Sequence, residues 1–211
     1  NSKFKTIYNS YDFNKIKKKS KLYKIIKNKK FNFNFIFVGR LVERKNPLLA
    51  VNIIDEILKI KKNKYFASLT ILGSGYLKEK LQELINKKKL NQNIKIINFK
   101  KNHYPYYTAS DFLLSLSKFE GFPNVLVEAL LLNILPISYN YKSGPSEILL
   151  NSKGGVVFNT LEPKQIAKII INHLDQKNNL QKRLKFGIKN LHRFDHKKNL
   201  HKYYNLVCSL K

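Results

Sequence analysis

A chain of 211 residues with 43% hydrophobic and 12% aromatic residues can bury the core of one α/β domain, which excludes a disordered or fibrous protein. Lys and Arg number 41 against 13 Asp and Glu, a formal net charge of +28 that favours anionic partners, although Lys, Asn and Ile share A/T-rich codons and a biased genome raises the same count. The single Cys208 excludes an internal disulfide framework and fits a reducing compartment.

In chain order, Asn1-Ser2-Lys3-Phe4-Lys5 lacks the apolar core of a signal peptide. The chain has no methionine, which fits either a processed chain or the tail of a longer polypeptide, and the tail is the expectation. The first thirty residues are basic and weakly patterned, with Lys17-Lys18-Lys19 and Lys27-Asn28-Lys29-Lys30, and read as a solvated linker. Phe33-Asn34-Phe35-Ile36-Phe37-Val38 is a strand ending at Gly39. Asn46-Pro47 opens a helix with a cap residue and a proline at its first position, and Leu48, Val51, Ile54 and Leu58 mark its buried stripe. Residues 66–72 form a second strand, Gly73-Ser74-Gly75 a turn, and 76–89 a helix with Leu77, Leu81, Leu84 and Ile85 inward. Strands follow at 94–99 and, after a short helix broken by Pro105, at 111–116. An apolar helix over 124–133 leads to a fifth strand at 134–139, a short helix near Pro145 and a last strand at 155–158. Three helical segments, from about Glu162, Lys177 and Asp195, finish the chain. The longest apolar run, residues 125–137, is interrupted by Glu128, Asn133 and Pro136, short of the ~18 residues that span a bilayer.

Strand and helix alternating in this way imply a parallel sheet wrapped by helices on both faces, with ligands beyond the C-terminal ends of the strands. The informative loops are therefore 39–46, 73–75, 98–103, 117–124 and 139–146. Within them, Glu120-Gly121-Phe122-Pro123-Asn124 feeds a helix N-terminus, where backbone N–H groups favour anions. Glu128 lies inside Val125-Leu126-Val127-Glu128-Ala129-Leu130-Leu131-Leu132, a helix apolar on almost every side, so its carboxylate needs a hydrogen-bonding partner or a structural salt bridge. In Gly39-Arg40-Leu41-Val42-Glu43-Arg44-Lys45-Asn46 a strand ends in glycine and cations follow. A guanidinium offers a planar fork for phosphate oxygens and an ammonium a compact charge. Gly73-Ser74-Gly75 begins a glycine-rich dinucleotide pattern but has Lys78 at the third position, a weak match. His192, His196 and His201 with Asp195 fall on the basic C-terminal helix, outside the loop set, and His103 stands alone beside Tyr104-Pro105-Tyr106-Tyr107; no metal is assigned.

These residues together resemble the donor-binding half of GT-B glycosyltransferases, in the large retaining family known as family 4. Ile7-Tyr8-Asn9-Ser10-Tyr11-Asp12 is similar to the segment that links the two halves of such enzymes. Val38-Gly39-Arg40-Leu41-Val42 with Lys45 resembles the diphosphate-binding loop, Glu120 to Glu128 the E-x7-E motif, and Ser143-Gly144-Pro145-Ser146-Glu147-Ile148 a further family element. The resemblance implies a Rossmann-like domain over 31–211, with 1–30 as an interdomain linker remnant. It implies that Arg40 and Lys45 hold a nucleotide diphosphate, that Glu128 accepts the ribose hydroxyls, and that Glu120 orients the donor sugar. Backbone N–H groups of the turn Gly121-Phe122-Pro123-Asn124, which the proline itself lacks, would meet sugar or phosphate oxygens. Gly39, Gly73, Asn98 and Phe99 complete the implied donor site, the base lying against the 98–102 loop. Asn98 and Asn133 stand where the family often has glycine, and both residues tolerate left-handed backbone.

The expected reaction moves a sugar, with retention, from a nucleotide diphosphate sugar to a hydroxyl. UDP is implied by the Ser143 to Ile148 element, which resembles bacterial UDP-sugar enzymes of envelope polysaccharide synthesis. The acceptor is a glycan or a lipid-linked saccharide, bound by an N-terminal acceptor domain that these residues do not supply. No cofactor or metal is expected, since cationic side chains and helix N-termini neutralise the leaving group. The expected location is cytoplasmic, with peripheral docking on anionic membrane suggested by net charge. Three alternatives remain open from sequence: a basic nucleic-acid-binding module, which leaves Glu128 unexplained; a non-catalytic or split-enzyme donor subunit; and a sugar-nucleotide epimerase of the same architecture.

Overall fold

The computed structural model describes residues 6–60, 66–142 and 144–209. Six parallel strands form one sheet in the order β3-β2-β1-β4-β5-β6: β1 (Phe33–Val38), β2 (Ala67–Leu72), β3 (Ile94–Ile97), β4 (Phe112–Ser115), β5 (Leu135–Tyr139) and β6 (Val156–Phe158). The chain steps outward from β1 to β2 and β3, then returns to place β4 on the other side of β1. Phe35 pairs with Leu69 across one edge of β1 and with Phe112 across the other. That reversal opens a crevice at the C-terminal ends of β1 and β4.

The continuous apolar run of β1 follows from its central place, since a strand covered on both faces needs apolar side chains on both. Phe35 and Phe37 enter one core with α2 (Pro47–Ile60), α3 (Lys78–Lys87) and α7 (Pro163–Leu174). Ile36 enters the other with Leu113 and α5 (Asn124–Leu131). The stripe expected on α2 is too narrow. Leu48 and Leu58 are only half-buried, while Leu49, Ala50, Ile53 and Ile57 are buried as well, because α7 packs along a second side of α2. Asn133 takes the left-handed backbone expected of it, at φ 62°.

Within the first thirty residues, read from sequence as a solvated linker, the chain forms a helix, α1 (Phe13–Ser20). The Asp12 carboxylate caps it by accepting from Lys15 N at 2.9 Å. Ile16 is buried, and the helix packs on α4 (Tyr104–Thr108) and α5. Residues 1–5, and with them the N-terminal segment weighed as a signal peptide, lie outside the described residues.

After α5 come α6 (Pro145–Ile148), α7, α8 (Lys177–Lys189) and α9 (His196–Cys208), with Glu162 and Asp195 as side-chain caps of α7 and α9. A 3₁₀ turn at Asn190–Phe194 joins α8 to α9 and buries Leu191 and Phe194 under α5. Among the described residues no helix is long and apolar enough to cross a membrane.

Candidate functional site

The loops after β1, β2, β3 and β4 meet at the C-terminal edge of the sheet around a cavity of about 620 Å³, a size that suits a small-molecule ligand. The loop after β1 is tied down first. Gly39 N donates to Leu72 O at 3.0 Å and Leu41 N to Ser74 O at 2.9 Å, while the Leu41 side chain is fully buried. The loop after β2 crosses so close beneath it that a Cβ on Gly73 would lie 1.8 Å from Gly39 O, so glycine is the residue that fits. The loop after β3 joins them, with Phe99 N donating to Ser74 Oγ at 3.0 Å.

Beyond Leu41 the chain makes a 3₁₀ turn, Glu43–Lys45, closed by Asn46 in the left-handed conformation (φ 57°, ψ 46°). This turn brings Lys45 back over Gly39, its methylenes filling the space beside that glycine. Lys45 Nζ reaches Glu120 Oε2 at 2.7 Å, with only 14% and 13% of the two side chains exposed. Ser117 Oγ donates to the other carboxylate oxygen, Oε1, at 2.5 Å. Arg44 points the other way: its guanidinium lies 5.3 Å above the Phe119 ring, and Nη1 donates to Phe119 O at 3.2 Å. Lys118 N in turn donates to Arg44 O at 2.8 Å. Successive residues of one loop thus clamp the loop after β4. Arg40 is exposed; its carbonyl accepts from Val42 N at 3.0 Å, and its guanidinium makes no hydrogen bond or ion pair among the described residues.

Glu128, on the second turn of α5, is 8% exposed. The structure supplies the partners its burial demands, and they are not lysine or arginine. Tyr107 Oη donates to Glu128 Oε2 at 3.1 Å, and His103 Nε2 lies 3.2 Å from the same oxygen. The neighbouring phenols respond. Burial first and the Glu128 charge second push the Tyr107 hydroxyl well above its usual range, and the same two causes push Tyr104 up to about 12. Their hydroxyls therefore stay protonated, and that of Tyr107 remains a donor.

The segment 7–12 holds the entry to α5. Tyr11 Oη donates to Asn124 Oδ1, Asn9 Nδ2 approaches the same oxygen at 3.4 Å, and Tyr8 Oη donates to Glu147 of α6. Gly144 sits at φ 111°, where an added Cβ would lie 2.6 Å from Pro123 Cδ. Ser143, part of the motif that runs to Ile148, lies outside the described residues.

Of the residues singled out from sequence, Gly39, Arg40, Lys45, Gly73, Phe99, Glu120, Asn124 and Glu128 line the cavity, joined by Arg44, Ser74, His103 and Val125. Asn98 does not line it and is exposed just past β3, with no left-handed backbone. Gly121 is exposed on the turn, with nothing within 4 Å of the position a Cβ would take. Phe122 packs edge-on against Phe194 at 5.8 Å, and Pro123 is buried under Gly144. Asn124 N donates back to Phe122 O at 3.1 Å. His192, His196 and His201 are not among the lining residues. The partners missed from sequence are His103 and Tyr107, whose i, i+4 spacing puts both on one side of a helical turn.

The sequence matches the family model described as glycosyl transferases group 1 over residues 18–190. It is 38% identical over 151 residues to an uncharacterized glycosyltransferase of Methanocaldococcus jannaschii, covering 70% of this chain and 36% of that protein. It is 34% identical to the capsular polysaccharide biosynthesis glycosyltransferase CapH of Staphylococcus aureus, covering 84% of this chain and 48% of that one. It is 32% identical to the N-acetylgalactosamine-N,N'-diacetylbacillosaminyl-diphospho-undecaprenol 4-alpha-N-acetylgalactosaminyltransferase of Campylobacter jejuni, covering 74% and 40%. The chain therefore spans between 36% and 48% of the length of these three relatives. Its fold matches that of Anabaena HepE, solved with UDP and glucose, at a TM-score of 0.79 and 19% identity, over 97% of this chain and 57% of that one.

Proposed function

This chain belongs to the glycosyl transferases group 1 family, and from that premise we propose that it is the donor-binding part of a retaining glycosyltransferase using a UDP-sugar. The observation that carries the reading is the pairing of Lys45 with Glu120 in the cavity that Glu128 also lines. A cation for phosphate and two carboxylates for hydroxyl-rich sugars thus share one site.

In this reading Arg40 and Lys45 bind the diphosphate and stabilise the charge that develops on the departing nucleotide. The free guanidinium of Arg40 can engage phosphate at no cost in protein contacts, whereas Lys45 must divide its charge between phosphate and Glu120. Glu120 accepts from hydroxyls of the donor sugar. Glu128 accepts from the ribose hydroxyls, and the base rests against the loop 98–102 under Phe99. The sugar leaves and is attacked on the same face, with no protein nucleophile, no metal and no separate cofactor. UDP is favoured by the Ser143 to Ile148 sequence element and by the nucleotide bound in the Anabaena structure. A saccharide of envelope polysaccharide or a lipid-linked oligosaccharide is the acceptor, as the names of the Staphylococcus and Campylobacter relatives suggest. Acceptor binding and cleft closure belong to an acceptor domain outside these residues, with the whole enzyme at the inner face of the membrane.

Calorimetric titration of the 211-residue chain with UDP tests the site. Saturable binding that Glu128→Gln weakens by about tenfold is expected, the loss of one charge-assisted hydrogen bond. No binding by the parent, or equal binding by the variant, overturns the assignment.

A further inference from the structure

Glu128 is held by one oxygen only. His103 Nε2 and the Tyr107 hydroxyl both converge on Oε2, at 3.2 and 3.1 Å, while Oε1 has no protein partner among the described residues. A carboxylate only accepts, so the imidazole nitrogen facing it carries the proton and donates. His103 occupies the residue before α4, where a side chain would ordinarily cap the helix, yet it makes no capping hydrogen bond. Its ring instead lies 4.4 Å from Tyr104 and 5.9 Å from Tyr107 and reaches across to α5. The imidazole lines the cavity; Tyr107 is completely buried.

We infer that His103 is a positioning residue for Glu128: with Tyr107 it pins Oε2, fixing the carboxylate so that Oε1 meets the ribose hydroxyls. The inference rests on the nucleotide reading of the site and adds to it a residue that the motifs leave out. Two donors on one oxygen define both the rotation and the depth of the carboxylate. A carboxylate with one donor can swing about its last torsion, which is broad and two-fold in intrinsic preference. His103 thereby sets how strongly the site distinguishes a ribose from a sugar without hydroxyls.

The test compares UDP with 2′,3′-dideoxy-UDP by calorimetry on the 211-residue chain and on His103→Phe, His103→Gln and Tyr107→Phe. The parent should prefer UDP. His103→Phe should weaken UDP by about tenfold and leave the dideoxy ligand within about twofold, because the lost donor acts only through Glu128. His103→Gln should bring UDP back to within about threefold, since its amide donates from nearly the same place. Tyr107→Phe should also erode the preference, through a residue too buried to touch any nucleotide. Equal losses for both ligands in His103→Phe would make the histidine merely structural and overturn the inference. A loss in that variant that Tyr107→Phe does not share would make His103 a direct contact and overturn it too. A parent that binds UDP without preferring it over the dideoxy ligand removes the ribose role and the positioning role together. A parent that binds neither ligand overturns the nucleotide reading itself, and the positioning role with it.

Discussion

Lys45 and Glu120 neutralise each other across the site, Nζ to Oε2 at 2.7 Å, although one follows β1 and the other follows β4. With some 14% and 13% of the side chains exposed, the pair is too sheltered to be an ordinary surface contact and too wet to be a core salt bridge. Each partner fixes the other where a ligand would arrive. A diphosphate entering the cavity competes with Glu120 for the ammonium, and a sugar hydroxyl competes with Lys45 for the carboxylate.

That competition gives the two ends of the pair opposite signatures. Glu120→Gln releases Lys45 to phosphate, so UDP should bind as well as before or a few-fold more tightly, while handling of a UDP-sugar weakens. Lys45→Ala should weaken UDP by about tenfold or more and lower the melting temperature, because Glu120 stays sheltered with the Ser117 hydroxyl on Oε1 but without the ammonium on Oε2. Calorimetry with both ligands on both variants, beside thermal melts, separates the roles. Matching losses of UDP affinity in the two variants would contradict them.

Away from the site, Asp55 on α2 accepts from Lys59 at 2.7 Å and from Lys88 beyond α3. Burial by itself raises its carboxyl pKa, but the two ammonium hydrogen bonds outweigh burial and hold it below the ordinary 3.8. A folded-state pKa below the unfolded one means stability that is fully present above about pH 4 and lost as pH falls through the folded value. Asp55→Asn should therefore cost about 1–3 kcal/mol near neutral pH, with the gap to the parent narrowing below pH 4. Urea midpoints at pH 7 and pH 3 measure it, and a gap that stays constant would show that the charge is not what stabilises α2 against α3.

Much of the sheet was legible because apolar runs such as Phe35-Ile36-Phe37-Val38 have one economical fate in an alternating chain, a strand covered on both faces. The loops of the site followed from topology, since a parallel sheet that reverses direction gathers the loops at its C-terminal edge. Three features were hidden. Helix α1 is masked by its run of lysines, and only Asp12 as a cap and Ile16 as an anchor betray it. The return of Lys45 toward Glu120 depends on the left-handed Asn46, which local preference permits but does not require. His103 reads as a lone histidine beside a tyrosine-rich turn that holds Tyr107, because the acid they serve lies on another helix and only packing joins them.

The glycines make the last distinction, between residues the fold requires and a residue the ligand would require. Gly73 has no room for a side chain: a Cβ would overlap Gly39 O at 1.8 Å, backbone against backbone, and neither loop can yield without losing the hydrogen bonds that tie Gly39 to Leu72 and Leu41 to Ser74. Gly73→Ala should destabilise by about 1–3 kcal/mol or more and weaken every ligand of the cavity together. Gly121, directly after the first glutamate of the motif that runs from Glu120 to Glu128, has nothing within 4 Å of the position a methyl would take. Gly121→Ala should melt within about 0.5 kcal/mol of the parent. If the backbone of that turn approaches the donor sugar, the same substitution should weaken UDP-sugar while sparing UDP, since the methyl would occupy space that only the sugar needs. Thermal melts and paired titrations of both variants decide it. A Gly121→Ala chain that is stable and binds UDP-sugar like the parent would remove the turn from the donor site and leave Glu120 as its contact there.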